Sequence, residues 1–200
     1  MTVSARLPAS IVPGAMIGEG RRSRVFRAAW QGRPVALKIY RRPYVDRYRR
    51  RLGLSIARFE HDRNKAFHDV PELRPFVAEP LLVVGEGDSM DDAFVQELIE
   101  DAVDLSEVLL RTGRVPPETL DAVRDIIRIA SAAGLHDIDL DPDNIRLHET
   151  PEGWLPVLFD FNMIPQHVRA PNPFVALLYR TGLRDRSYRD RRWLRRLERM

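Results

Sequence analysis

Three side chains in the second half of the chain have the makings of a reaction centre. Asp139 and Asn144 lie five residues apart in the run His-Asp-Ile-Asp-Leu-Asp-Pro-Asp-Asn that starts at His136. Asp160 follows a short apolar run, residues 155–159. A carboxylate can accept the proton of an attacking hydroxyl. Carboxylate and amide oxygens are also the donors that hard divalent cations select. Asp139 is therefore a candidate base, and Asn144 and Asp160 are candidate cation ligands. The same residue types build plain turns, because Asp and Asn side chains bond nearby backbone groups. The elements around them must decide between the two.

The first half reads mostly as strands. Gly18-Glu19-Gly20 falls between an apolar run from Ile11 and the alternating residues 25–30. The glycines thus lie in a turn between two strands and do not open a helix, as a dinucleotide fingerprint would. Without side chains they let backbone N–H groups approach phosphate oxygens. After a turn at 31–34, residues 35–40 read as a third strand carrying Lys38. Residues 41–69 read as helix with a break near Gly53. Ile56, Glu60 and Phe67 share one face of it, which turns Glu60 inward. Residues 76–84 and 93–98 read as two more strands, joined by the turn-rich 85–89.

A short helix is expected over 103–110. Pro116-Pro117-Glu118 opens a longer one, with Leu120, Val123, Ile127 and Ala130 at helical spacing and Gly134 at its close. It delivers the chain to Asp139. A hairpin turn at 148–153 and a strand at 156–159 lead to Asp160. Helices over 174–180 and 185–199 follow. Residues 1–10 show no pattern.

The 200 residues, 44% apolar, suit one domain or two small lobes. No apolar run approaches the roughly 18 residues of a membrane span, and the start lacks a signal-peptide layout. A cytoplasmic protein is the expectation. The absence of cysteine excludes disulfides and thiolate metal sites. Lys38 and Lys65 are the two lysines among many arginines, so the compact ammonium at 38 stands out. The net charge of +3 hides segregation: arginines crowd 41–63 and 180–199, whereas 86–107 carries acidic charge alone. Either the basic faces meet an anionic partner, or they are solvated helix surfaces. On the last helix, Trp193, Leu194 and Leu197 share a face that should pack, leaving the arginines outward, so that Trp193→Ala should destabilise the fold. A basic amphipathic helix is a membrane-surface design. The inner face of the membrane and phosphorylated sugars are therefore candidate partners, ahead of nucleic acid.

Taken in order, Gly18/Gly20, Lys38, Glu60, the segment 94–99, Asp139/Asn144 and Asp160 resemble the protein-kinase-like superfamily over residues 15–165. The resemblance implies a bilobal α+β fold. Its N-lobe, with a five-stranded antiparallel sheet, would span 1–98, and a reduced helical C-lobe 99–200. It implies ATP and Mg²⁺. Gly18, Gly20, Ser23 and Val25 would cover the nucleotide, with Ser23 in the place of a third glycine. Ala36 and Lys38 would line it, Lys38 gripping the α/β-phosphates and Glu60 orienting Lys38. Gln96 would lie behind the adenine, with Glu97 C=O and Ile99 N–H as its partners. Asp139 would be the base, and Asn144 and Asp160 would hold Mg²⁺. Two groups of small bacterial kinase-like proteins are similar: the PhoP regulatory network YrbL type and the lipopolysaccharide core sugar kinases.

The departures bear on function. Asp137-Ile138-Asp139 replaces His-Arg-Asp, so a phosphorylated activation loop lacks its charge partner. Asp141 stands where a lysine often steadies the transferred phosphoryl group. Asn162 replaces the glycine after Asp160-Phe161, and Asn tolerates left-handed backbone. Nothing resembles Ala-Pro-Glu. Two functions follow. One is an ATP–Mg phosphotransferase acting on a hydroxyl of an envelope sugar, another small molecule or a protein. The other is a pseudokinase, a regulator that binds nucleotide or a partner without turnover.

Overall fold

Alternation and helical periodicity produce eight strands and six helices among the described residues, which are 8, 10–85, 92–151 and 153–200 of a computed structural model. Contacts divide the chain into two units: the described residues of 1–65 with 78–98, and those of 66–77 with 99–200.

The first unit is built on an antiparallel sheet in the order β1-β2-β3-β5-β4. The strands are β1 (Ile11–Glu19), β2 (Ser23–Trp30), β3 (Arg33–Tyr40), β4 (Pro80–Val84) and β5 (Ala93–Glu97). Gln31 and Gly32, at φ 52° and 77°, make the two-residue turn between β2 and β3. Two successive positive φ values match the twist of a hairpin, and glycine adopts one without strain. The turn is shorter than the expected 31–34, since Arg33 and Pro34 already belong to β3. Val35 and Leu37 face a core with Ile11, Ala28, Val84, Ala93 and Val95. The opposite face of β3 carries Ala36, Lys38 and Tyr40, all buried.

Residues 41–69 split into α1 (Arg42–Leu52) and α2 (Ile56–His68). Gly53, at φ 74°, caps α1 and ends it. The strand expected over 76–84 is shorter. Pro75 favours a single 3₁₀ turn at Arg74–Phe76, and the ladder begins at Pro80. Most of the turn expected at 85–89 lies outside the described residues.

The second unit holds a smaller antiparallel sheet, β6 (Ala102–Asp104), β7 (Ile145–Thr150) and β8 (Gly153–Leu158). It also holds α3 (Leu105–Thr112), α4 (Pro117–Ala132), α5 (Pro173–Arg180) and α6 (Tyr188–Leu197). The helix expected at 103–110 starts late, because Val103 pairs with Leu147 in the sheet. The hairpin turn expected at 148–153 is tighter: His148, Glu149 and Thr150 remain in the ladder, and β8 starts at Gly153.

Val123, Ile126, Ile127 and Ala130 of α4 enter one core with Ile138, Leu140, Ile145, Leu147, Leu158 and Phe161. Leu197 of α6 is fully enclosed in that core, while Trp193 and Leu194 are only partly covered. The expected face of Trp193, Leu194 and Leu197 thus packs, with Leu197 its most deeply buried member. Leu197→Ala should lower stability by about 2–5 kcal/mol, and Trp193→Ala by less. Urea denaturation of both variants checks the order. Among the described residues, no helix is long and apolar enough to cross a membrane.

Candidate functional site

In the first unit the sheet register aligns the residues expected at the nucleotide. Gly18 pairs with Val25, Val25 with Lys38, and Lys38 with Phe94. Directly opposed residues share a face, so this row crosses the sheet on the side that carries Lys38. One step along, Ala36 pairs with Gln96. Lys38 Nζ donates to Glu60 Oε1 at 2.7 Å, and the hydroxyl of Tyr40 donates to the other carboxylate oxygen. Lys38 is 6% exposed and Glu60 is fully buried.

Glu60 is placed by anchors at the start of α2. Ser55 Oγ accepts from Arg58 N–H at 3.0 Å as an N-cap. Buried Asp92 accepts from Ile56 N–H at 3.1 Å, and its own carbonyl accepts from Tyr40 N–H at 2.9 Å. Burial pushes the Asp92 carboxyl up. One residue therefore ties the helix of Glu60 to the strand of Lys38. Farther along the same face of α2, buried Asn64 donates to Gln96 at 3.4 Å.

The glycine turn is clamped from both sides. Glu19 accepts from Arg24 at 2.9 Å and from Arg41 at 2.6 Å, and these two guanidinium groups hold its carboxyl below the usual range. Gly20 N–H donates to Ser23 O at 2.9 Å. At the end of β5, Glu97 N–H donates to Glu79 O at 2.9 Å.

In the second unit the Ile99 carbonyl accepts from Arg146 at 2.7 Å. Arg146 also reaches Asp104, at 3.0 Å. Ile138 and Leu140 are enclosed in the core, and Asp139 between them is only partly covered. Alternation thus exposes the one polar residue of the three. Pro142–Asn144 forms a 3₁₀ turn, closed by Asn144 N–H on Asp141 O at 2.8 Å. β7 starts at Ile145, which pairs with Leu158, the last residue of β8. Asn144 and the Phe159-Asp160 segment therefore leave the same end of one hairpin. Asp160 Oδ1 accepts from Asn162 N–H at 3.2 Å. Phe161 is buried against Phe67, with ring centroids 4.9 Å apart.

In the candidate catalytic loop Asp137 is left-handed, at φ 61°, whereas Asn162 is not. Asp137 is fully buried. Its carboxylate accepts from Gln166 N–H at 2.8 Å and lies 3.4 Å from Arg189 and 3.7 Å from His167. Asp190 of α6, also buried, accepts from Asp137 N–H at 3.1 Å and Ile138 N–H at 2.7 Å. Burial raises its carboxyl to about 6, against the pull of those two donors. Asp141 has Arg196 at 3.8 Å.

Lys38, Glu60, Gly18, Gly20, Ser23, Val25, Ala36 and Glu97 belong to the first unit, and Ile99, Asp139, Asn144 and Asp160 to the second. Sequence reasoning missed Tyr40, Asp92, Asn64 and Asp190. Tyr40 and Asn64 had a signal, since Tyr40 is two residues past Lys38 on one strand and Asn64 one turn past Glu60. Asp92 and Asp190 act across the chain and leave no local pattern.

No family model and no curated protein matches this chain. Solved structures do. A double mutant of the Mycobacterium tuberculosis PknI kinase domain is 22% identical with a TM-score of 0.58, over 83% of this chain and 66% of that one. A single mutant of the same domain is 21% identical, also at 0.58, over 83% and 65%. The unsubstituted domain is 23% identical at 0.57, over 83% and 65%. The chain thus spans about two thirds of the length of those domains. With its five-stranded antiparallel sheet and six helices, it has a protein-kinase-like α+β fold.

Proposed function

We propose that this chain is an ATP- and Mg²⁺-dependent phosphotransferase that moves the γ-phosphoryl group to a hydroxyl, with 1–98 as N-lobe and 99–200 as C-lobe. The carrying observation is the enclosed Lys38–Glu60 pair at 2.7 Å. A buried ion pair adds little stability over apolar packing of the same volume, so its rationale is an ammonium held ready for phosphate oxygens. Gly18 and Gly20 support the reading. A Cβ at either would meet nothing closer than 3.8 Å, and neither φ is positive, so the fold alone does not demand glycine there. Close approach of a phosphate to the backbone does. Glu97 C=O and Ile99 N–H would hold the adenine.

Among the described residues, no group of three His, Asp or Glu side chains could hold a metal unaided. Asn144 and Asp160 suit Mg²⁺ nonetheless, since that ion takes one or two protein oxygens and completes its shell with phosphate and water. Bound there, it would neutralise charge developing on the phosphates. Asp139 would take the acceptor's proton. Asp141 favours the pseudokinase reading, since it removes a cation from the loop; Arg196 beside it restores one. An envelope sugar or a protein as acceptor, kinship with the YrbL type or the lipopolysaccharide kinases, and a cytoplasmic location belong to the same reading.

Mg-ATP should raise the melting temperature by mass action, about 2.7 kcal/mol at a hundredfold excess over Kd. Lys38→Ala and Asp160→Asn should each shrink that increment. Apo Lys38→Ala should melt lower, because Glu60 loses its countercharge; the increment is therefore the readout. Equal increments in all three proteins would sink the assignment.

A further inference from the structure

α6 leaves its positive charge uncompensated on one side. Its own carboxylate, Asp190, is buried on the backbone of Asp137 and Ile138. The flanking Asp185 is taken by Arg191 at 2.8 Å and Glu198 by Arg124 at 2.9 Å. Arg192, Arg195 and Arg199 have no carboxylate partner among the described residues, yet all three line one cavity of about 620 Å³. Its walls also include Tyr188 and Trp193, which orient two more arginines. Arg184 stacks on Tyr188 at 4.3 Å, and Arg196 on Trp193 at 4.9 Å. Gathering guanidinium groups around a concavity is unfavourable unless an anion enters. Stacked, planar guanidiniums are the form best preorganised for phosphate oxygens.

The cavity adjoins the candidate catalytic loop at two points. Arg196, which lines it, is 3.8 Å from Asp141, and Arg189, which also lines it, is 3.4 Å from Asp137. Asp139 lies between those two residues in sequence. We propose that this cavity binds a phosphate group already carried by the acceptor, so that the acceptor is a phosphorylated small molecule. The inference rests on the phosphotransferase reading for its link to Asp139.

The probe is inorganic pyrophosphate, titrated calorimetrically into the full chain without Mg²⁺. The test variant is Arg192→Gln/Arg195→Gln/Arg199→Gln, whose positions are exposed and outside the nucleotide machinery. Wild type should bind, more weakly as salt rises. The triple variant should bind about 1000-fold more weakly, at roughly tenfold for each of the three charge-assisted bonds lost. Its Mg-ATP melting increment should stay as in wild type. The matching triple Arg→Lys variant should fall between, since it keeps charge and loses the fork. Lys38→Ala should still bind pyrophosphate, which separates this site from the nucleotide's. If wild type shows no Mg-ATP increment but arginine-dependent pyrophosphate binding, the nucleotide reading fails and the phosphate cavity stands. Equal pyrophosphate affinity in wild type and the Gln variant would overturn the proposal. So would arginine-dependent binding to phosphatidylglycerol vesicles without pyrophosphate binding, which would make the face a lipid surface.

Discussion

Asp139→Ala should keep the Mg-ATP melting increment of the wild type and lose phosphotransfer by about 10²–10⁴-fold. The two readouts separate because the proposed roles do. Nucleotide affinity is assigned to Lys38, the glycine turn and the oxygens of Asn144 and Asp160. Asp139 is assigned to the acceptor's proton, which matters only as the new bond forms. Asp139 is only partly covered, while its neighbours Ile138 and Leu140 fill the core. Single-turnover assays with a competent acceptor read the loss. Full turnover in the variant would move the base elsewhere. A wild type inert toward every acceptor tried would put the pseudokinase reading ahead.

What was legible in the sequence was whatever a local pattern can carry. Glu60 was placed inward by its spacing from Ile56 and Phe67, and all three are buried. Gly53 broke the helix where its left-handed φ requires. Lys38 stood out as a rare lysine in an alternating strand. Boundaries were less legible where pairing overrode periodicity, as at Val103, whose partner Leu147 is far away in sequence. The supports of the candidate site were not legible at all. Asp92 holds α2 from 36 residues away, and Asp190 holds the loop before Asp139 from more than 50. An aspartate in an arginine-rich helix reads as one solvated charge among many; only tertiary packing buries it.

Asp190→Ala should loosen the candidate catalytic loop and do so with a pH signature. The variant leaves the N–H groups of Asp137 and Ile138 buried without an acceptor, at about 1–3 kcal/mol each. Part of that loss is offset above pH 6, because the ionised carboxylate is itself disfavoured by burial. Its pKa rises from 3.8 unfolded to about 6 folded. The folded chain therefore holds a proton at Asp190 between those values that the unfolded chain has released. Stability from this group is fully present below pH 4 and falls as pH rises through 6. The gap between wild type and Asp190→Ala should thus be smaller at pH 7.5 and larger at pH 5, by about 1–2 kcal/mol. Urea denaturation of both proteins at the two pH values measures it. A gap independent of pH would mean that Asp190 titrates as an ordinary carboxylate. Turnover at pH 7.5 should also fall, by about 10²-fold if Asp139 moves by an ångström, since Asp137 at φ 61° is held there by the bond that Asp190 accepts. The Mg-ATP increment should shrink but not vanish in the variant, because Lys38 and Glu60 keep their pairing without Asp190 while Asn144 sits on the loosened loop. Loss of that increment together with turnover would mark Asp190 as a support of the whole fold and not of the loop.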